Sequence, residues 1–298
     1  MDQARATFFA SGLAIASGVL WGLYWLPVRT LADAGLLGAW GTFAITLGAA
    51  LLLGPFAYQY WQNITASSAI ALGAVALGGS AFALYSIGFV YGRVAIIVLL
   101  FFLTPVWSTL IGRYLFGWTT PPLRMWAIII GLIGLAIMLS ADGTAPVPRN
   151  IGEWMGLASG IMWSVASTGM RTKSTLLPIP AAFVFASGAA TTALLIALAL
   201  APFPQQIPHM STTIIALGTG GIWWGLAMVG LMWATLRLEP ARIGILLMSE
   251  VLVGAASAAI LAGEHLSWLE ILGGSFVLCA ALLELWPTKP SSSATGRA

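Results

Sequence analysis

Ten apolar stretches, each about as long as a bilayer crossing, follow one another with little polar chain between them, and this spacing restricts the fold more than any other feature. They run over 9–27, 36–58, 67–91, 94–116, 122–140, 152–171, 178–201, 212–236, 241–262 and 267–286. A spanning helix needs roughly 20 apolar residues. Charged residues make up 7% of the 298 positions and hydrophobic ones 59%, a composition that no water-exposed surface carries. In hydrocarbon every backbone N–H and C=O must find a partner inside the protein, so the stretches are predicted to be helices. The expected class is an all-α polytopic membrane protein with the lipid bilayer as its solvent.

The connections are short and carry turn residues, as at Thr119-Thr120-Pro121-Pro122 and Pro202-Phe203-Pro204, which leaves no room for a soluble domain. Trp25-Leu26-Pro27-Val28-Arg29 follows the first stretch where a small-residue cleavage site would otherwise stand, so that stretch is expected to stay as a helix. The polar segment 289–298 is expected to be a disordered tail. Cys279, the only cysteine, cannot form an internal disulfide and is expected to serve as small apolar packing.

Ten spans place both termini on one side. With the termini inside, nine of the 12 basic residues fall on inner segments: Arg5, Arg113, Arg124, Arg171, Lys173, Arg237, Arg242, Lys289 and Arg297. Only Arg29, Arg93 and Arg149 fall outside. This bias predicts a multi-pass protein of the cell (bacterial inner) membrane with both termini cytoplasmic. It also accounts for the net charge of +3 without a nucleic-acid partner.

The two halves of the chain repeat. Ala16-Ser17-Gly18-Val19-Leu20-Trp21 matches Ala158-Ser159-Gly160-Ile161-Met162-Trp163 at an offset of 142, and Arg29-Thr30 then falls on Arg171-Thr172. Later helices match at an offset of 146, which aligns Thr104-Pro105 with Glu250-Val251. Five spans per half reverse the second copy, predicting an inverted repeat over 1–140 and 141–288 around a central cavity. Trp21 and Trp163 would then lie on opposite sides of the midplane.

A carboxylate at membrane depth is costly unless it faces a partner or water. Glu250 is therefore read either as a hydrogen-bonded strut or as a cavity group that contacts a substrate ammonium or carries a proton. Pro105 removes a helix donor to Phe101 and predicts a kink in the fourth span, structural or functional. Trp40, Trp61, Trp118, Trp126, Trp154, Trp268 and Trp286 lie near span ends as interfacial anchors; Trp21, Trp107, Trp163, Trp223 and Trp224 lie deeper. Phe82, Tyr85 and Phe89 share a helix face, where lipid, another helix or a cavity could meet them, and the Tyr85 hydroxyl inclines toward the interior. The small residues Ala14, Gly18 and Gly22, repeated by Gly156, Gly160 and Ser164, predict close helix contact.

These features together resemble the drug/metabolite transporter superfamily in its EamA-type branch. The resemblance rests on the paired Ala-Ser-Gly-x-x-Trp, Thr104-Pro105-Val106, Ser249-Glu250-Val251 and the Leu-x-Gly-Glu-x-Leu of 261–266. Within the family, Ile161-Met162-Trp163 and the region from Ala83-Leu84-Tyr85-Ser86-Ile87-Gly88 to Thr104-Pro105 look most like YddG-type exporters of aromatic and other neutral amino acids. The family's ninth helix has Glu followed by Pro, where Val251 stands here. The resemblance implies a cavity lined by the first, third, fourth, sixth, eighth and ninth helices, and hence by Trp21, Tyr85, Phe101, Trp163, Trp223 and Glu250. It implies a small-molecule substrate, an amino acid or similar metabolite, and a chain that works as a monomer.

A membrane-embedded enzyme is the competing class. No HExxH, GxSxG or paired intramembrane aspartate occurs, and His209 and His265 fall in loops. A channel would use rings built by oligomeric symmetry rather than a repeat inside one chain. No GxxxxGK[ST] loop is present, so nucleotide energy is not expected, nor is any cofactor or metal. The expected function is secondary transport by alternating access.

Overall fold

The computed structural model describes residues 3–117, 122–143, 145–204, 209–235, 237–238 and 246–285. Most of the predicted turn at 119–122, the anchors Trp118 and Trp286, and the polar tail lie outside the described residues.

The described secondary structure is helical. Its elements are α1 (Gln3–Gly22), α2 (Trp25–Asp33), α3 (Trp40–Tyr58), α4 (Trp61–Thr65), α5 (Ala69–Tyr91), α6 (Val94–Phe101) and α7 (Thr104–Phe116). There follow α8 (Pro122–Leu139), α9 (Ile151–Lys173), α10 (Pro178–Leu200), α11 (Met210–Thr219), a π-helical segment (Gly220–Ala227), α12 (Met228–Thr235), α13 (Ser249–Leu261) and α14 (Trp268–Leu285). Among the described residues six helices are long and apolar enough to cross a membrane: Ala6–Asp33, Trp40–Tyr58, Ala69–Tyr91, Val94–Tyr114, Pro178–Leu200 and Met210–Leu231. Met125–Leu139, Ser249–Leu261 and Trp268–Leu283 are apolar but shorter.

Side-chain caps close several helix ends. The Ser68 hydroxyl accepts from the Ala71 amide at 3.2 Å. At α9 the Asn150 side chain accepts from the Glu153 amide at 2.9 Å, and the Glu153 carboxylate accepts from the Arg149 amide at 2.8 Å, a reciprocal cap that satisfies two otherwise orphaned donors. Pro105, Pro122 and Pro178 stand in first turns, where a missing N–H costs nothing.

The centre of the bundle is α5, which packs against α9 and α10, while α1 packs against α13, α12 and the π segment. The short α6 reaches both α9 and α13, and α8 pairs with α14. At Gly22 an added Cβ would lie 2.8 Å from the Glu250 carbonyl oxygen, so only glycine lets α1 approach α13 this closely. Gly160 does the same for α9 against α6, where a Cβ would meet the Phe101 oxygen at 3.1 Å.

Three predicted spans are interrupted, the fourth span where Pro105 predicts a kink. The first span turns at Leu23–Tyr24. The fourth breaks at Phe102–Leu103 and restarts at Thr104, with Pro105 in the new first turn and the Thr104 hydroxyl donating to the Phe101 oxygen at 2.6 Å. The ninth turns at Met248 without a proline and restarts at Ser249. Two residue placements also differ from the sequence reading. Trp40 is buried at 7% exposure, its Nε1 donating to the Pro202 oxygen at 3.0 Å, because the chain from 201 to 204 folds over it; it is not a lipid-facing anchor. Cys279 faces outward, on the side of α14 away from α8, and does not pack in the core.

Candidate functional site

Where α5, α6, α9, α1 and the π segment meet, aromatic rings gather around Phe82. Its centroid lies 4.9 Å from Trp21, 5.1 Å from Trp163, 5.4 Å from Phe101, 5.4 Å from Phe185 and 6.4 Å from Trp224, all edge to face. This geometry sets positive ring edges against negative faces. Phe82 thus stands between Trp21 and Trp163.

Tyr85, one turn further along α5, is fully buried and packs on Phe101 at 4.7 Å and Phe89 at 4.6 Å. Its hydroxyl donates to Glu250 Oε1 at 2.9 Å. Glu250 is 5% exposed and sits in the first turn of α13. Among the described residues Tyr85 is its only side-chain partner, and no basic group pairs with it. A carboxylate held by one neutral donor keeps acceptor capacity for another group.

A hydroxyl chain runs beside the rings. Trp224 Nε1 donates to the Tyr24 hydroxyl at 3.0 Å, Ser86 donates to the same oxygen at 3.1 Å, and Thr42 lies 2.8 Å from Ser86. All four residues are buried. By contrast the indole N–H groups of Trp21 and Trp107 are buried and have no acceptor among the described residues.

Of the six residues expected to share a site, Trp21, Tyr85, Phe101, Trp163 and Glu250 come together by direct contact or through Phe82. Trp223 meets the ring cluster only at its edge, its centroid 6.2 Å from that of Tyr24, which in turn lies 5.0 Å from Trp21. It is half-buried, and its Nε1 donates to the Leu20 oxygen at 2.6 Å; Trp224 holds the interior position instead. The cause is the π segment, whose wider turn changes which residue of the pair faces inward. Sequence reasoning also missed Tyr24 and Phe185 and left Phe82 undecided between lipid and interior. Phe82 shares the buried face of Tyr85, which was the available signal.

A groove of about 490 Å³ lies apart from these rings, between α3 and α11, lined by Phe43, Leu47, Leu51 and Leu217 among others. Among the described residues it has no charged lining. No three His, Cys, Asp or Glu side chains converge on a metal-sized site among the described residues.

The two ends of the bundle differ. At the end carrying Arg29, that side chain donates to Glu264 Oε1 at 3.0 Å and to the carbonyls of Phe89 and Gly92 at 3.0 and 2.9 Å. Glu264 also accepts from the Val94 and Ala95 amides at 2.9 and 3.2 Å, capping α6. Arg93 pairs with Glu270, which caps α14 through the Ser267 amide at 2.7 Å, and Arg149 pairs with Asp142. At the opposite end Arg171 and Lys173 are exposed and make no ion pair or side-chain hydrogen bond among the described residues.

No family model matches the chain, and no curated protein matches it. Seventeen solved chains do. One, known as "Crystal structure of protein", is similar with a TM-score of 0.57 at 16% identity, over 94% of this chain and 96% of its own. That likeness concerns the fold alone and extends over nearly the whole length of both chains.

Proposed function

We propose that this chain is a secondary transporter of the EamA-type drug/metabolite transporter kind, exporting aromatic or other neutral amino acids across the cytoplasmic membrane by alternating access. The observation that carries the reading is the Tyr85–Glu250 pair, a buried carboxylate with no counter-ion among the described residues, set against a cluster of aromatic rings. Glu250 takes the substrate ammonium, directly or through water. The rings around Phe82 take an apolar or aromatic side chain by edge and face contact. The Trp21 indole N–H, a buried donor with no acceptor among the described residues, meets a substrate oxygen.

Ten spans in two inverted halves complete the proposal. What supports the repeat is packing that exchanges when the halves are exchanged: α6 lies on α9 as α13 lies on α1. The small-residue stripes do the same work in both places. Gly160 lies against the Phe101 carbonyl as Gly18 lies against that of Leu247, and Ser164 donates to the Thr104 carbonyl at 3.0 Å where Gly22 abuts that of Glu250. The breaks at Phe102 and Met248 also stand 146 residues apart. With both termini inside, the Arg29 end faces out and the Arg171 end faces the cytoplasm.

Proteoliposomes loaded with unlabelled amino acid and offered a labelled panel test the function. A carrier gives saturable uptake and transient accumulation by counterflow, with aromatic and larger neutral amino acids as the best competitors. Uptake that rises linearly with concentration and shows no counterflow would rule a carrier out.

A further inference from the structure

We propose that Arg29 and Glu264 form the latch that holds the outward-facing end shut, and that Arg171 is its repeat-related counterpart, engaged only when the inner end closes. The inference rests on the alternating-access reading and adds the residues that set which side is open.

Arg29 ties the end of α2 to the α5 terminus through the Phe89 and Gly92 carbonyls, and to α6 through Glu264. Glu264 lies in the α13–α14 link and caps the α6 amides, so one carboxylate joins three segments that must separate if this end is to open. The Glu264 side chain is 9% exposed and the Arg29 side chain 29%, so the pair is partly screened, and its strength lies in the number of elements it joins. Beneath it the Trp25 indole N–H donates to the Ser257 hydroxyl at 3.0 Å, a second tie between α2 and α13.

Arg171 occupies the position of Arg29 at the 142-residue offset, at the end of α9 as Arg29 is near the end of α2. Here it is exposed and, among the described residues, unpaired. The same residue type is thus engaged in one half and free in the other. An alternating mechanism calls for this asymmetry, since the two ends must not be locked together. At the 146-residue offset Glu264 falls on Trp118, so the repeat offers Arg171 no carboxylate at the equivalent position.

The test reads opening itself, without any transport. In a Cys279→Ala background, Ala258→Cys places a thiol on the buried face of α13, two turns beyond Glu250 toward the Arg29 end. An impermeant maleimide applied to the outer face of oriented vesicles should label it slowly in the otherwise unchanged protein. Glu264→Gln and, independently, Arg29→Met should raise that rate roughly fivefold or more, as expected for losing one partly exposed pair that selects between two states. Adding Arg171→Met to Glu264→Gln should return the rate toward its starting value, because the open state then loses its own lock. Unchanged labelling in both single variants, with the protein still monodisperse in detergent, overturns the outer latch. A double variant that labels as fast as Glu264→Gln alone overturns the role of Arg171. Because labelling requires no substrate, these results stand apart from whether amino acids are carried.

Discussion

The two ends of the bundle use the same residue type in opposite ways. At the Arg29 end three arginines meet the carboxylates of Glu264, Glu270 and Asp142, and Glu264 and Glu270 accept backbone amides as well, so that helix starts and ion pairs are there satisfied by the same carboxylates. At the Arg171 end basic side chains project without carboxylates among the described residues; Arg237, for example, lies over the Trp233 ring at 3.8 Å. One end is joined by polar contacts between distant parts of the chain, and the other has no such ion pair among the described residues. A carrier caught with one side closed would be built this way, with the costly contacts where the barrier stands.

The contrast sharpens with five substitutions. Glu264→Ala should have the largest effect on stability, because it removes an ion pair and two capping bonds at once. A loss of about 2–3 kcal/mol is expected, read as a lower melting temperature of the detergent-solubilised protein. Arg171→Ala should change melting by no more than about 0.5 kcal/mol, as for other exposed positions. Equal losses at the two ends would erase the comparison.

Tyr85→Phe comes next. It leaves the Glu250 carboxylate without its donor and should cost about 1–3 kcal/mol while keeping the ring contacts with Phe89 and Phe101. Trp224→Phe should follow at about 1 kcal/mol through the lost hydrogen bond to Tyr24. Trp223→Phe gives the smallest change in amino-acid affinity, measured by competition in the uptake assay, because that ring stands outside the cluster around Phe82. A larger affinity loss at Trp223 than at Trp224 would return the site to the arrangement expected from sequence.

Much of the frame was legible in the chain because lipid leaves few alternatives: an apolar run in hydrocarbon must satisfy its own backbone. That Trp21 and Glu250 are buried was legible from their places inside apolar runs. The partner of Glu250 was not, since Tyr85 lies 165 residues away and nothing local aligns them. The choice between Trp223 and Trp224 turns on a π-helical segment, which leaves no clear mark on apolar periodicity. Trp40 misled for a similar reason: its place at a helix end is the same whether lipid or the Pro202 loop covers it. The break at Met248 arises without proline, where the sequence supplied no breaker to read.

Glu250 lies between the joined end and the unpaired end, at the restart of a broken helix, so a substrate bound there would be within reach of whichever end opens. Its role separates from that of a strut by measuring net efflux and substrate-for-substrate exchange side by side for Glu250→Gln in proteoliposomes. The amide keeps an acceptor for the Tyr85 hydroxyl and loses the charge. Direct or water-mediated contact with a substrate ammonium predicts that both modes weaken together, by about tenfold or more in apparent affinity, the scale of one charge-assisted hydrogen bond. Loss of gradient-driven efflux with exchange intact would instead assign Glu250 to proton coupling, and full activity in both modes would contradict its place in the mechanism.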